Sequence, residues 1–130
     1  MRDTVQILLI EDDNDDIELI QDALGDNGVS YQLKVIKDGG EVAGYLETAN
    51  DIPDIIVMDF NLPKVHGREI LKHIKRTDHF KTIPLLILTT SSSQDDIDYS
   101  YKEGANRYLI KPTTASGIRN IVDVIKELAG

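Results

Sequence analysis

The stretch "LLIEDDNDD", residues 8–16, runs an apolar segment straight into Glu11, Asp12, Asp13, Asp15 and Asp16. Carboxylates packed so closely repel one another: two unit charges about 4 Å apart cost roughly 4 kcal/mol at an effective dielectric near 20. Binding a divalent cation offsets that repulsion, and without one the acids should have their pKa values pushed upward. Hard oxygen donors from a few carboxylates, completed by water and a phosphoryl oxygen, suit Mg2+ rather than a soft metal. Further along the chain, Asp59, Thr89 and Lys111 add another acid, a hydroxyl and an ammonium. With these groups gathered, Asp59 could attack phosphorus to give an acyl phosphate. A metal on one side and Lys111 on the other would neutralise the transferring group, and Thr89 would donate a hydrogen bond to it.

Such a gathering needs elements that bring distant segments to one rim. "VQILLI" (5–10) is a nearly continuous β-branched and leucine run, as expected for a strand buried on both faces. Asn14 can cap a helix lined by Ile17, Ile20 and Leu24 and ended by Gly25 and Gly28. "YQLKVIK" (31–37) alternates, which fits a strand near a sheet edge. Residues 40–48 read as a short helix at best, with Val42 and Leu46 four apart. "DIIVMDF" is the third strand, and "NLPKVHG" a loop marked by Pro63 and Gly67. The next helix turns Ile70, Leu71 and Ile74 inward and His73 and Lys75 outward. "PLLILTT" is the fourth strand, followed by a polar helix from Gln94 to Glu103 with Ile97 and Tyr101 spaced by four and Gly104 as its stop. "NRYLIKP" is the fifth strand, ended by Pro112, and the last helix carries Ile118, Ile121, Val122, Ile125 and Leu128 at core spacing.

Five strand–helix units in an unbroken rhythm imply an α/β domain, residues 1–130, with a parallel sheet covered on both faces. In doubly wound sheets ligands meet the carboxyl ends of the strands. Glu11 and Asp12, Asp59, Thr89 and Lys111 all stand at such ends.

Composition narrows the function further. At 130 residues the chain is long enough for a proper core. It has no cysteine, which excludes disulfides, thiolate metal sites and thiol chemistry. A net charge of −9 argues against nucleic-acid binding and suits attraction to cations or basic protein surfaces. The N-terminal apolar run is too short for a signal peptide, and no stretch could span a bilayer, so a cytoplasmic protein is expected.

The residues "LLIEDD", "DFNLPKVHG", "ILTT" and "YLIKP", each ending a predicted strand in the right order, resemble the receiver domain of bacterial two-component response regulators. The resemblance covers essentially the whole chain. It implies a flavodoxin-like (βα)5 fold with strand order 2-1-3-4-5. By the same resemblance Asp59 is the phosphoacceptor, Asp12 a direct Mg2+ ligand, and Glu11 the second acid, acting through a metal-bound water. Asn61 would lend the metal a backbone carbonyl, and Mn2+ or Ca2+ could substitute for Mg2+. Lys111 would contact the phosphoryl group, Thr89 and Tyr108 would form a switch pair, and the Lys111–Pro112 peptide would be cis. A sensor histidine kinase or phosphotransfer protein would be the donor. With no output domain expected after Gly130, readout would pass through protein contacts, either with a downstream target or as a homodimer through the face of the fourth helix, fifth strand and fifth helix. Thr89 would move toward the phosphoryl group and Tyr108 would follow inward. The longer segment before the fourth strand looks like stand-alone regulators that partner phytochrome-type kinases.

Three positions depart from the family pattern. The first acid is Glu11, Thr90 stands where a small residue is common, and Thr113 follows Lys-Pro where an apolar residue is usual. Plainer readings compete at several residues. Asp15 and Asp16 read as acids of a helix N-terminus, Asp13 as either, and His66, His73 and His79 as surface residues. Tyr108 alone would be a half-buried aromatic. Three other functions compete as well. An aspartyl-phosphate phosphohydrolase of the haloacid-dehalogenase type would need an acid two residues after Asp59, where Asn61 stands. A flavin mononucleotide carrier would need a phosphate loop where this chain places acids. A degenerate receiver would dock without phosphorylation.

Overall fold

Leucine and β-branched residues on both faces of a strand can be buried only between two layers of helices. The computed structural model, which describes residues 4–62 and 65–130, builds that arrangement. Strands β1 (Val5–Ile10), β2 (Tyr31–Ile36), β3 (Ile55–Met58), β4 (Leu85–Thr89) and β5 (Arg107–Ile110) form one sheet in the order β2-β1-β3-β4-β5. Every neighbouring pair is parallel. The expected edge strand β2 is at an edge, and its outward residues Gln32 and Lys34 are exposed.

Alternate residues of the central strands feed two separate cores. Leu8, Ile10, Ile56, Met58, Leu85 and Ile87 pack with α2 (Val42–Thr48) and α3 (Gly67–Lys75). Ile7, Leu9, Ile55, Val57, Leu86 and Leu88 pack with α1 (Asn14–Asp26) and α5 (Ala115–Ala129). Each fully buried side chain of this size contributes roughly 1.5–3 kcal/mol. A slip of one residue would exchange the two sets, so register is strongly specified.

Several local expectations are corrected. The cap of α1 is Asp13, whose carboxylate accepts from the Asp15 and Asp16 amides, while Asn14 is the first helical residue. Gly25 lies inside α1, and Gly28, with φ of 71°, turns the chain after it. Gly67 is the first residue of α3 rather than a loop breaker, and Pro63 lies outside the described residues. Lys75 is half-buried, not outward, because its ammonium donates to the Lys81 and Ile83 carbonyls at 3.3 and 3.2 Å. In α4 (Gln94–Lys102) the buried residue is Ser100, which donates to Asp96 O at 2.7 Å, and Tyr101 is 47% exposed. The described residues contain no cis peptide, so Lys111–Pro112 is trans, the lower-energy isomer even before proline.

Gly67 has a packing reason to be glycine. A Cβ there would drive into the Phe60 backbone, one residue beyond the strand end that carries Asp59. Gly67→Ala is therefore expected to destabilise the fold by about 2 kcal/mol in urea denaturation. Gly44→Ala, inside α2 with open space around it, should instead stabilise by about 0.5–1 kcal/mol.

Candidate functional site

Hydrogen-bonded ladders normally stop with the strand, but here three of them continue by one residue. Glu11 N donates to Ile36 O at 3.0 Å, Asp59 N to Ile10 O at 3.0 Å, and Lys111 N to Thr89 O at 2.8 Å. The backbones carrying the reactive groups are thus locked to the sheet at a common height. Glu11, Asp59 and Thr89 are buried and Asp12 is exposed.

The side chains converge on the Lys111 ammonium. It lies 2.8 Å from Glu11 Oε1, 2.7 Å from Asp16 Oδ2 and 2.8 Å from Asp59 Oδ2. The other Asp59 oxygen, Oδ1, accepts from the Asn61 amide at 3.1 Å. Glu11 Oε2 accepts from the Asp12 and Asp13 amides at 3.0 and 3.3 Å, so both of its oxygens have partners. Carboxylate oxygens of Glu11, Asp12 and Asp59 lie within 4.8 Å of one another, an all-oxygen set that could hold a divalent cation.

The electrostatics correct the expectation that crowding raises every acid. Burial pushes the Glu11 carboxyl up to about 7, against the Lys111 hydrogen bond and with help from the Asp59 charge. Burial also pushes Asp59 upward. There, however, hydrogen bonds from Lys111, the Thr89 hydroxyl and the Asn61 amide together win, and its pKa falls below the usual carboxylate range. Burial opposes the Lys111 ammonium, yet hydrogen bonds to Asp16, Asp59 and Glu11 outweigh it and raise its pKa.

Around this centre, the Thr90 hydroxyl accepts from the Asn61 side-chain amide at 3.2 Å, tying the loop after β3 to the loop after β4. Tyr108 is already turned inward. Its hydroxyl donates to Ser91 O at 2.7 Å, and its ring meets Phe60 edge-on at 6.2 Å. Thr113 is exposed. His73 and His79 are exposed as expected, while His66, also exposed, caps α3 by accepting from the Arg68 amide at 3.0 Å.

Sequence reasoning brought Glu11, Asp12, Asp59, Thr89 and Lys111 to this rim and left Asp16 out. The missing signal was helical spacing: Asp16 precedes Ile20 by four, at the end of the buried stripe of α1. It also left out Arg68 and Ser91, which hold the two oxygens of Asp96. Arg68 Nη2 is 2.7 Å from Oδ1, and Ser91 Oγ is 2.6 Å from Oδ2.

Comparison with known proteins agrees with this architecture. Residues 7–123 match the family model "Response regulator receiver domain". The chain is 37% identical to "Probable methanogenesis regulatory protein FilR2" of Methanothrix harundinacea over 93% of its own length and 81% of that protein's. It is 36% identical to response regulator Rcp1 of Synechocystis, covering 95% of this chain and 84% of that protein. The solved Mn2+-bound form of Rcp1 superposes with a TM-score of 0.83 at 34% identity, over 95% of this chain and 92% of that one. The phosphorylated cyanobacterial phytochrome response regulator RcpA superposes with a TM-score of 0.85 at 39% identity, with the same coverage. A five-stranded parallel sheet in the order 2-1-3-4-5, with acids and one lysine at its carboxyl rim, is here joined to a family match over most of the chain. The protein belongs to the receiver-domain family of two-component response regulators.

Proposed function

We propose that the whole chain acts as one receiver domain that accepts a phosphoryl group on Asp59. The donor is a sensor histidine kinase or a phosphotransfer protein. One observation carries the reading: Asp59 is a buried carboxylate held ionised, with Lys111 on one oxygen and the Glu11–Asp12 acids close by. An Asp59 oxygen forms the bond to phosphorus while the bond from phosphorus to the donor nitrogen breaks, and the nitrogen keeps the electron pair. Water later attacks phosphorus slowly and returns the carboxylate, so the domain is a phosphoacceptor and not an enzyme of organic phosphates.

Asp12, Asp59 and the Asn61 carbonyl would hold Mg2+, with Glu11, whose side chain is one methylene longer than an aspartate, acting through water. When bound, the cation neutralises charge on the transferring group. Lys111 does the same from the other side, and Thr89 donates its hydroxyl. The phosphorylated RcpA and the Mn2+-bound Rcp1 support the same reading, and RcpA supports a phytochrome-type kinase upstream.

Output passes through protein contacts, to an unidentified target or a second copy. The face of α4, β5 and α5 suits this, since Tyr101 and Ile110 are exposed there. Thr89 and Tyr108 act as the switch pair, with the inward Tyr108 as one of its two states. A cytoplasmic location fits this role, and no helix among the described residues is long and apolar enough to cross a membrane.

Acetyl phosphate with Mg2+ should add one phosphoryl group to Asp59 by mass spectrometry, and Asp59→Asn should abolish it. Rapid turnover of phosphate esters, or unchanged labelling in Asp59→Asn, would overturn the reading. Cation binding should also depend on pH with a defined sign. Below about 7 Glu11 is protonated and adds no charge; above it, the lost proton adds the charge that draws the cation. Apparent Mg2+ affinity by calorimetry should therefore rise about tenfold from pH 6 to pH 8. Asp12→Ala should weaken it at both.

A further inference from the structure

A lysine ammonium has three N–H donors and no acceptor. In Lys111 all three have carboxylate partners, Glu11, Asp16 and Asp59, and its side chain is 13% exposed. Asp16 is the unexpected member. It comes from the first turn of α1 rather than a strand end, and it stands outside the acid group formed by Glu11, Asp12 and Asp59.

We propose that Asp16 is a positioning residue for phosphoryl transfer, holding the Lys111 ammonium in place beside Asp59. The inference rests on the phosphoacceptor reading of Asp59. During transfer an Asp59 oxygen bonds to phosphorus, and the donor leaves with the electron pair of the bond that breaks. The N–H now accepted by Asp59 Oδ2 can then pass to a phosphoryl oxygen. The other two N–H groups stay with Glu11 and Asp16, so the nitrogen does not have to find its place again. With Glu11 as the only remaining anchor, the flexible four-carbon stem would regain rotamer freedom. Two anchors, one from the end of β1 and one from α1, remove it.

Asp15 is the natural control, because it has the same charge in the same helical turn and is exposed. The first measurement needs no phosphodonor: exchange of the Lys111 ammonium protons with water, by 15N NMR. Asp16→Ala should speed exchange clearly, whereas Asp16→Asn, which keeps an acceptor, and Asp15→Ala should change it little. The second is the rate of Asp59 modification by acetyl phosphate with Mg2+. Asp16→Ala should slow it about tenfold, since misplacing a catalytic group by a fraction of an ångström is costly. Asp16→Asn should recover most of the rate. In a Lys111→Met background, Asp16→Ala should have no further effect, because the two residues act as one unit.

Modification by Asp16→Ala as fast as wild type, or an equal slowing with Lys111 already removed, would overturn the proposal. A wild-type protein never modified at Asp59 would instead sink the phosphoacceptor reading and take the catalytic half of the proposal with it. The exchange measurement would still decide whether Asp16 holds Lys111.

Discussion

Lys111 brings a single ammonium within 2.8 Å of Glu11 and Asp59, two acids that the fold buries, and closer still to Asp16. Removing one partner from a buried ionic group leaves an uncompensated charge, at a cost of about 3–5 kcal/mol. The lysine's place is therefore a condition on the whole sheet. β1, β3 and β5 must end at one height, and the ladders must run one residue past their ends, as the Glu11, Asp59 and Lys111 amides do. The two-sided apolar strands enforce this, because a slip in register would bury the wrong face on both sides at once.

Sharing one cation separates the two buried carboxylates into different roles. Glu11 and Asp59 are both desolvated, but Asp59 collects donors on both oxygens, including Lys111, Thr89 and the Asn61 amide. It stays ionised. Glu11 gains too little from Lys111 and the neighbouring amides to offset its burial, and its pKa reaches about 7. Environments that push two acids apart are how one site runs two kinds of chemistry. On the proposed function, one acid is held ready for phosphorus, and the other responds to pH and to cations.

Most of the architecture was legible in the sequence because burial on both faces leaves unbroken apolar runs, and these fixed β1, β3 and β4 to within a few residues. The strand-end acids and Lys111 were legible for the same reason, since a run that ends in a charge marks where the sheet meets solvent. What stayed hidden depended on side chains rather than pattern. Asp13 and Asn14 are both good caps, and only backbone geometry chooses Asp13. Asp16 and Asp15 are the same residue type side by side, and only the helical spacing from Ile20 sets Asp16 at the end of the buried stripe, toward Lys111. Lys75 fits an outward helical position until its stem finds two free carbonyls. In α4, Ser100 is buried in place of an apolar residue because the helix satisfies its hydroxyl internally.

That last feature bears on how the site can reach the surface. Since α4 buries only a serine, polar bonds hold it more than apolar packing does. Arg68 and Ser91 clamp Asp96, Tyr99 donates to Arg68 O, and Tyr108 donates to Ser91 O. Ser91 lies two residues beyond Thr89, and its amide approaches the Thr89 hydroxyl at 3.4 Å. A displacement of Thr89 toward Asp59 would therefore pull on the carbonyl that keeps Tyr108 inward and on the carboxylate that ties α4 to α3. Elements held by few buried apolar contacts are those that open or shift at least cost. On the proposed function, this makes α4, with its exposed Tyr101, the part of the surface whose shape can follow the charge at Asp59.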